Sequence, residues 1–233
     1  MIDKHQQLTL DLGKPPLLDF DTFVDEGNVQ IVSALRALPR VHGSKFYFIW
    51  GESGCGKSHL LQAESQLSSQ LGLQSIYLEA DQLKSFDPGV LEGMEQYDVV
   101  CFDDVDVLIG NKEWEDALFH LYNRLFDLKR SLVISSNASP RQLPVGLADL
   151  KSRLTAGEIY QVAVLSDEAK RQWMITAAQH RGFVISAEVV DYILQRSARD
   201  LFSLQKVVEQ LDALSLIEQR LITVPFVKKV LDW

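Results

Sequence analysis

At 233 residues, with 46% hydrophobic and 24% charged residues, the chain is long enough for one α/β domain plus a small helical appendage, and can bury a core without covalent staples. A net charge of −9 speaks against a passive duplex-DNA binder, which carries a basic footprint; any DNA grip is expected from a local patch or a partner. The two cysteines, Cys55 and Cys101, show no paired spacings, no apolar run reaches membrane-spanning length, and the N-terminus lacks a basic-then-apolar signal, so a reduced, cytoplasmic setting is expected, with no membrane partner.

Residues 1–16 end in Gly13-Lys14-Pro15-Pro16 and read as a flexible tail joined to a domain by a stiff spacer. Over 17–165, apolar runs at 46–50, 74–78, 99–102, 132–135 and 160–164 read as strands. Between them 58–71, 88–96, 114–128 and 147–154 read as helices. Such alternation predicts an α/β fold with a mostly parallel sheet covered on both faces. From 166 to 233 the pattern is helical throughout, giving a small all-helical second domain. Ser166-Asp167-Glu168 opens a helix that Gly182 closes, and Ser186-Ala187-Glu188 opens the next. Ser197-Ala198-Arg199-Asp200 has capping-box spacing and is expected to open a third, running toward Arg220. Pro225 fits the first turn of a short last helix ending near Trp233.

The strongest chemical signal is Gly51-Glu52-Ser53-Gly54-Cys55-Gly56-Lys57-Ser58, a full G-x4-G-K-[ST] match with an apolar run before it and an amphipathic helix after it. Glycines let backbone N–H groups converge on phosphate oxygens, and the helix N-terminus adds favourable partial charge. Lys57 would serve the β/γ-phosphates and the Ser58 hydroxyl a Mg²⁺ ion. His59 is counted with this cofactor-binding loop by position, although packing suits it better than catalysis. The run Val99-Val100-Cys101-Phe102-Asp103-Asp104 is an apolar strand ending in two carboxylates. Nucleotide-bound Mg²⁺ needs a hard oxygen ligand beside the phosphate loop, which suits Asp103; Asp104 could orient an attacking water. An Asp-rich strand-end turn is the bland alternative. The five histidines show no ligand spacing, and there is no G-x-S-x-G elbow.

These residues resemble the DnaA family of AAA+ P-loop proteins. The likeness is carried by WGESGCGKSHLL at 50–61 and LVISSNASPRQLPVGLADLKSRL at 132–154. WEDALFHLYNR at 114–124 and TVPFVKKVL at 223–231 look like the Hda branch in particular, whose members promote inactivation of the initiator DnaA. The chain is expected to end with the helical lid, without the duplex-binding domain of DnaA. The resemblance implies that Asn137 senses a γ-phosphate, that Arg153 is an arginine finger acting on a neighbour's nucleotide, and that Arg199 is the lid arginine. It also sets Phe20 and Phe23 near the base and ribose, although phenylalanines at this spacing are more often core. A turn-forming Asn, a solvated arginine and a surface cation are the plain alternatives for Asn137, Arg153 and Arg199.

The tail adds Gln7-Leu8-Thr9-Leu10-Asp11-Leu12, similar to the Q-L-x-L-x-L peptide by which replication proteins dock on the DNA polymerase sliding clamp. An extended peptide of this kind buries Leu8, Leu10 and Leu12 in a groove while Gln7 hydrogen-bonds at its mouth. Together the resemblances imply a nucleotide-bound adaptor, with an adenine nucleotide or other nucleoside diphosphate (ADP foremost) and Mg²⁺. Its partners would be the clamp, DnaA, and DNA only through the clamp. A homodimer or higher oligomer is allowed. The competing expectation is an autonomous ATPase of the helicase-loader type; a simple nucleic-acid-binding module is disfavoured by charge.

Overall fold

The computed structural model describes residues 18–198, 200–218, 222–231 and 233; Gln7, Leu8, Leu10, Leu12 and Arg199 lie outside the described residues. A five-stranded, all-parallel sheet forms from β1 (Phe46–Trp50), β2 (Ser75–Glu79), β3 (Val99–Asp103), β4 (Ser131–Ser136) and β5 (Glu158–Gln161), in the order β2-β3-β4-β1-β5. Every residue of β3 and β4 is buried, which is why these segments read as continuous apolar runs rather than as alternating ones.

The period of two is still visible in what each residue touches. Tyr47, Ile49, Cys101 and Val133 face one layer, with α1 (Val29–Ala37) and α2 (Lys57–Gln70), where Leu35, Leu60 and Leu61 are fully buried. Phe48, Val100, Phe102 and Ile134 face the other, with α4 (Lys112–Asp127) and α5 (Ala148–Ala156). Helix α4 presents Trp114, Leu118, Leu121 and Leu125 along one stripe, and starts where Asn111 Oδ1 accepts from Glu113 N at 3.0 Å and Trp114 N at 3.3 Å. A short helix, α3 (Ala80–Leu83), follows β2.

Two sequence expectations need correction, and helix α1 lies outside them. The helix expected over 88–96 is instead two 3₁₀ turns, Pro88–Leu91 and Met94–Gln96, broken by extended Glu92 and by Gly93 at φ 81°. The last strand lies at Glu158–Gln161, not 160–164, although Val162 N still donates to Trp50 O at 2.7 Å. Helix α1 follows Asn28, a residue type suited to a cap, but its side chain makes no cap and instead bonds across the chain, to Ala163 N at 2.8 Å and Ala163 O at 3.2 Å.

Four helices follow: α6 (Asp167–His180), α7 (Ala187–Arg196), α8 (Leu201–Glu218) and α9 (Val224–Leu231). Ser166 and Ser186 cap α6 and α7 as expected, accepting from Ala169 N at 3.1 Å and Val189 N at 3.4 Å. The cap of α8 is Asp200, whose Oδ1 accepts from Ser203 N at 2.9 Å; Ser197 instead closes α7, donating to Ile193 O at 2.9 Å. Met174, Val190, Ile193, Leu204, Leu211 and Val227 form a separate core, each fully buried side chain contributing about 1.5–3 kcal/mol. Among the described residues, no helix is long and apolar enough to cross a membrane.

Candidate nucleotide-binding site

Because β3, β4 and β1 are neighbours and parallel, their carboxyl ends lie side by side, the usual place for a ligand crevice in an open α/β sheet. Asp103 ends β3, Asn137 follows β4, and Gly51 follows β1. The turn after β1 requires Gly54 and Gly56, at φ 75° and 105°. It delivers Lys57, almost fully buried, to the first position of α2.

Lys57 Nζ donates to Gly51 O at 3.1 Å, Glu52 O at 3.2 Å and Asn137 Oδ1 at 2.9 Å. The lysine of the loop and the expected phosphate sensor are thus in direct contact. Asn137 is held in turn by Asp106, which accepts from its backbone N at 3.1 Å and its Nδ2 at 3.0 Å.

Asp103 is buried, with Tyr77 Oη donating to Oδ2 at 2.6 Å and Ser135 Oγ donating to Oδ1. Burial, then the Asp103 carboxylate, pushes the Tyr77 phenol well up, so it stays a donor. Each Asp103 oxygen keeps a lone pair free beyond these bonds. Asp104 adopts φ 52°, uncommon for a side-chain-bearing residue, and its N donates to Ser135 Oγ at 2.8 Å. Its Oδ1 is buried and meets no hydrogen-bond partner. Burial first, and Asp103 second, push the Asp104 carboxyl up to about 6, with Lys57 pulling the other way. An orphaned oxygen beside a carboxylate that retains lone pairs fits a hydrated cation, with Ser58 at the start of α2 as the further oxygen donor.

Other predicted residues fall into two groups. Cys55 is buried within the loop, and burial raises its thiol, so it packs rather than reacts. His59 is engaged with the segment ahead of α1: its Nε2 lies 2.7 Å from Asp19 O, and its ring meets Phe23 edge-on at 5.3 Å. Burial lowers its affinity for a proton. Phe20 and Phe23 are both core residues, and Phe23 also lies against Gly56, where an added Cβ would stand 2.9 Å from its ring.

The lid sits directly on the loop. Leu201 N donates to Gly54 O at 3.3 Å, and a Cβ on Gly54 would stand 2.5 Å from Asp200 Cβ. Between them lies a cleft of about 320 Å³ bordered by Glu52, Ser53, Leu165 and Lys170. Lys170 is an unpredicted buried cation there, 3.8 Å from Asp167.

Arg153 stands elsewhere. Its guanidinium lies 5.4 Å over the Tyr122 ring, and Tyr122 meets Phe46, the first residue of β1, edge-on at 5.2 Å. Arg153 therefore belongs to the amino-terminal edge of the sheet, one strand length (about 16 Å) from the phosphate loop. The start of its helix hangs from buried Glu115: Oε1 accepts from Gly110 N at 2.8 Å and Gly146 N at 3.1 Å, and Oε2 from Leu147 N at 2.7 Å.

Asp106, Tyr77, Ser135 and Glu115 escaped sequence reading. Only Asp106 left a trace, as a third acidic residue two positions beyond Asp103-Asp104.

Residues 16–161 match the family model of the bacterial DnaA ATPase domain, and residues 167–231 that of the Hda lid domain. An uncharacterized protein of Haemophilus influenzae is 40% identical over 229 residues, spanning 98% of this chain and 99% of its own. Among solved structures, domain III of the Thermotoga maritima replication initiation protein DnaA superposes with a TM-score of 0.77 at 22% identity, covering 94% of this chain and 97% of that one. AMPPCP-bound DnaA from Aquifex aeolicus gives 0.71 at 23% identity, over 88% and 67% of the respective chains. The Thermotoga maritima RuvB Holliday junction branch migration motor gives 0.69 at 18%, over 94% and 72%. At these identities the structural likeness concerns the fold, which is that of AAA+ P-loop proteins with a helical lid.

Proposed function

Since this chain belongs to the bacterial DnaA ATPase family and carries the lid of its Hda branch, we propose that it is a nucleotide-bound regulator of replication initiation that docks on the DNA polymerase sliding clamp and stimulates hydrolysis of ATP held by DnaA. The observation that carries the reading is the separation of Arg153 from the chain's own phosphate loop by the length of β1. An arginine so far from its own loop cannot reach its own nucleotide, so any nucleotide it serves belongs to another molecule. Placed on a γ-phosphate there, it stabilises transition-state charge, an effect of about 10³–10⁵ in rate.

The chain's own site holds ADP in this reading. Loop backbone groups from Gly51 to Gly56 and Lys57 bind the phosphates, and Asn137 and Arg199 respond to what is bound. Ser58 and Asp103 hold Mg²⁺, which when bound neutralises phosphate charge. Asp104 orients water. Gln7, Leu8, Leu10 and Leu12 form the clamp peptide; tethering to clamp-loaded DNA raises the local concentration of DnaA encounters, so a weak Arg153 contact suffices. Self-association would bury Arg153 against a second copy's loop and serve as an off-state, which size measurements with and without ADP would detect.

The test is hydrolysis of ATP pre-bound to DnaA, with clamp-loaded DNA and this protein present. Stimulation should depend on the clamp and be lost in Arg153→Ala and in Leu8→Ala with Leu10→Ala. No stimulation by the unsubstituted chain would refute the reading in favour of an autonomous ATPase of the helicase-loader type.

A further inference from the structure

The side chain of Asn137 is gripped at both ends. Asp106 accepts from its backbone N and its Nδ2, while its Oδ1 accepts from Lys57 Nζ. An amide can in general be turned over without changing its shape, but here both partners oppose it. The turned amide would set Nδ2 against an ammonium and Oδ1 against a carboxylate. Asp106 and Lys57 together therefore fix which end of Asn137 faces the phosphate loop, and it is the oxygen.

That choice has a chemical consequence. An amide oxygen has no proton to give, so it cannot bind a phosphate oxygen directly. Lys57 is the group that meets the outer phosphates in loops of this pattern, and one of its three N–H bonds already points at Asn137 Oδ1. A further phosphate on that side of Lys57 competes with Asn137 for the ammonium. A diphosphate, held by Lys57 and the backbone donors of the loop, adds no such third phosphate.

We propose that Asp106 is a specificity-determining positioning residue: by holding Asn137 oxygen-first toward Lys57, it tilts the site toward nucleoside diphosphate and away from triphosphate. The inference rests on the reading of this site as a nucleotide site. Released from Asp106, Asn137 can rotate and offer Nδ2 to a terminal phosphate, so ATP gains a hydrogen bond to a charged oxygen that ADP does not.

Calorimetric titration of the full chain with ADP and with ATP, each with Mg²⁺, tests it. Wild-type protein should favour ADP. Asp106→Ala should lower that preference about tenfold, mainly through tighter ATP binding, the effect of one such bond. Asp106→Glu, which keeps the carboxylate, should retain most of the preference. An unchanged ADP-to-ATP ratio in Asp106→Ala overturns the proposal, as does a wild-type protein without preference. If Asp106→Ala fails to fold by thermal melting, Asn137→Ala removes the inward oxygen instead, and an unchanged ratio there is equally fatal. Failure of wild-type protein to bind either nucleotide would count against the nucleotide-site reading itself.

Discussion

Glu64 lies in α2 with no exposed surface, its Oε1 accepting from Ser68 Oγ at 2.8 Å and its Oε2 meeting no hydrogen-bond partner. Burial pushes its carboxyl up to about 8, against a partial pull downward from the Ser68 hydroxyl. In the unfolded chain the same group releases its proton near 4.5. Between those values the folded protein binds more protons than the unfolded one, so stability falls as pH rises through the window and levels off above pH 8. The window spans roughly 3.5 pH units, and at about 1.4 kcal/mol per unit the loss approaches about 5 kcal/mol. Glu64→Gln keeps the volume and the acceptor for Ser68 but cannot ionise. Urea denaturation of both proteins at pH 5, 6.5 and 8.5 should find them similar at the lowest pH. At the highest, the variant should be more stable by several kcal/mol. Parallel pH profiles for the two proteins would show that Glu64 does not hold its proton in the fold, and the reasoning would fail.

Gly54→Ala sets a Cβ 2.5 Å from Asp200 Cβ at a backbone φ of 75°, so it should lift α8 from the loop, cost about 1–3 kcal/mol and weaken nucleotide binding. Titration with ADP checks this, and unaltered affinity would mean that the lid contact is dispensable. Glu115→Ala strands three backbone donors and should destabilise by about 3 kcal/mol or more at neutral pH. Burial alone would raise the Glu115 carboxyl, but those donors hold it below its ordinary value of 4.5. Its contribution is thus present above pH 4.5 and lost as pH falls through the depressed value, so wild-type and variant stabilities should converge in acid. A constant gap between them down to pH 3 would contradict that account.

How much of this was legible depended on how far apart the partners lie in the chain. The phosphate loop could be read because its glycines, lysine and flanking elements are consecutive, and β3 because burial on both faces makes Val99 to Phe102 uniformly apolar. The serine caps of α6 and α7 were local and came out correctly. Where two caps competed, between Ser197 and Asp200, sequence could not choose: Ser197 turned back to the helix behind it. Ahead of α1 the local signal is misleading: Asn28 is a residue type suited to a cap, but its side chain goes to Ala163, 135 residues away, rather than to the helix it precedes. The same holds within the site. The loop lysine is 80 residues from Asn137, and Asn137 is 31 from Asp106, so no spacing rule links them. Glu115, in an amphipathic helix, has the look of a solvated surface charge, yet it is 2% exposed and holds two loops together.

The opposition of Arg153 and the phosphate loop across the sheet gives the molecule a head and a tail. A contact that joins one copy's arginine edge to another's nucleotide edge uses two different surfaces, so each copy added leaves one unused edge of either kind at the ends. Growth of such a chain has a direction. If Arg153 acts as proposed, the order of subunits then matters: the protein whose arginine edge is engaged acts, the one whose nucleotide edge is engaged is acted upon, and exchanging them is not a neutral swap.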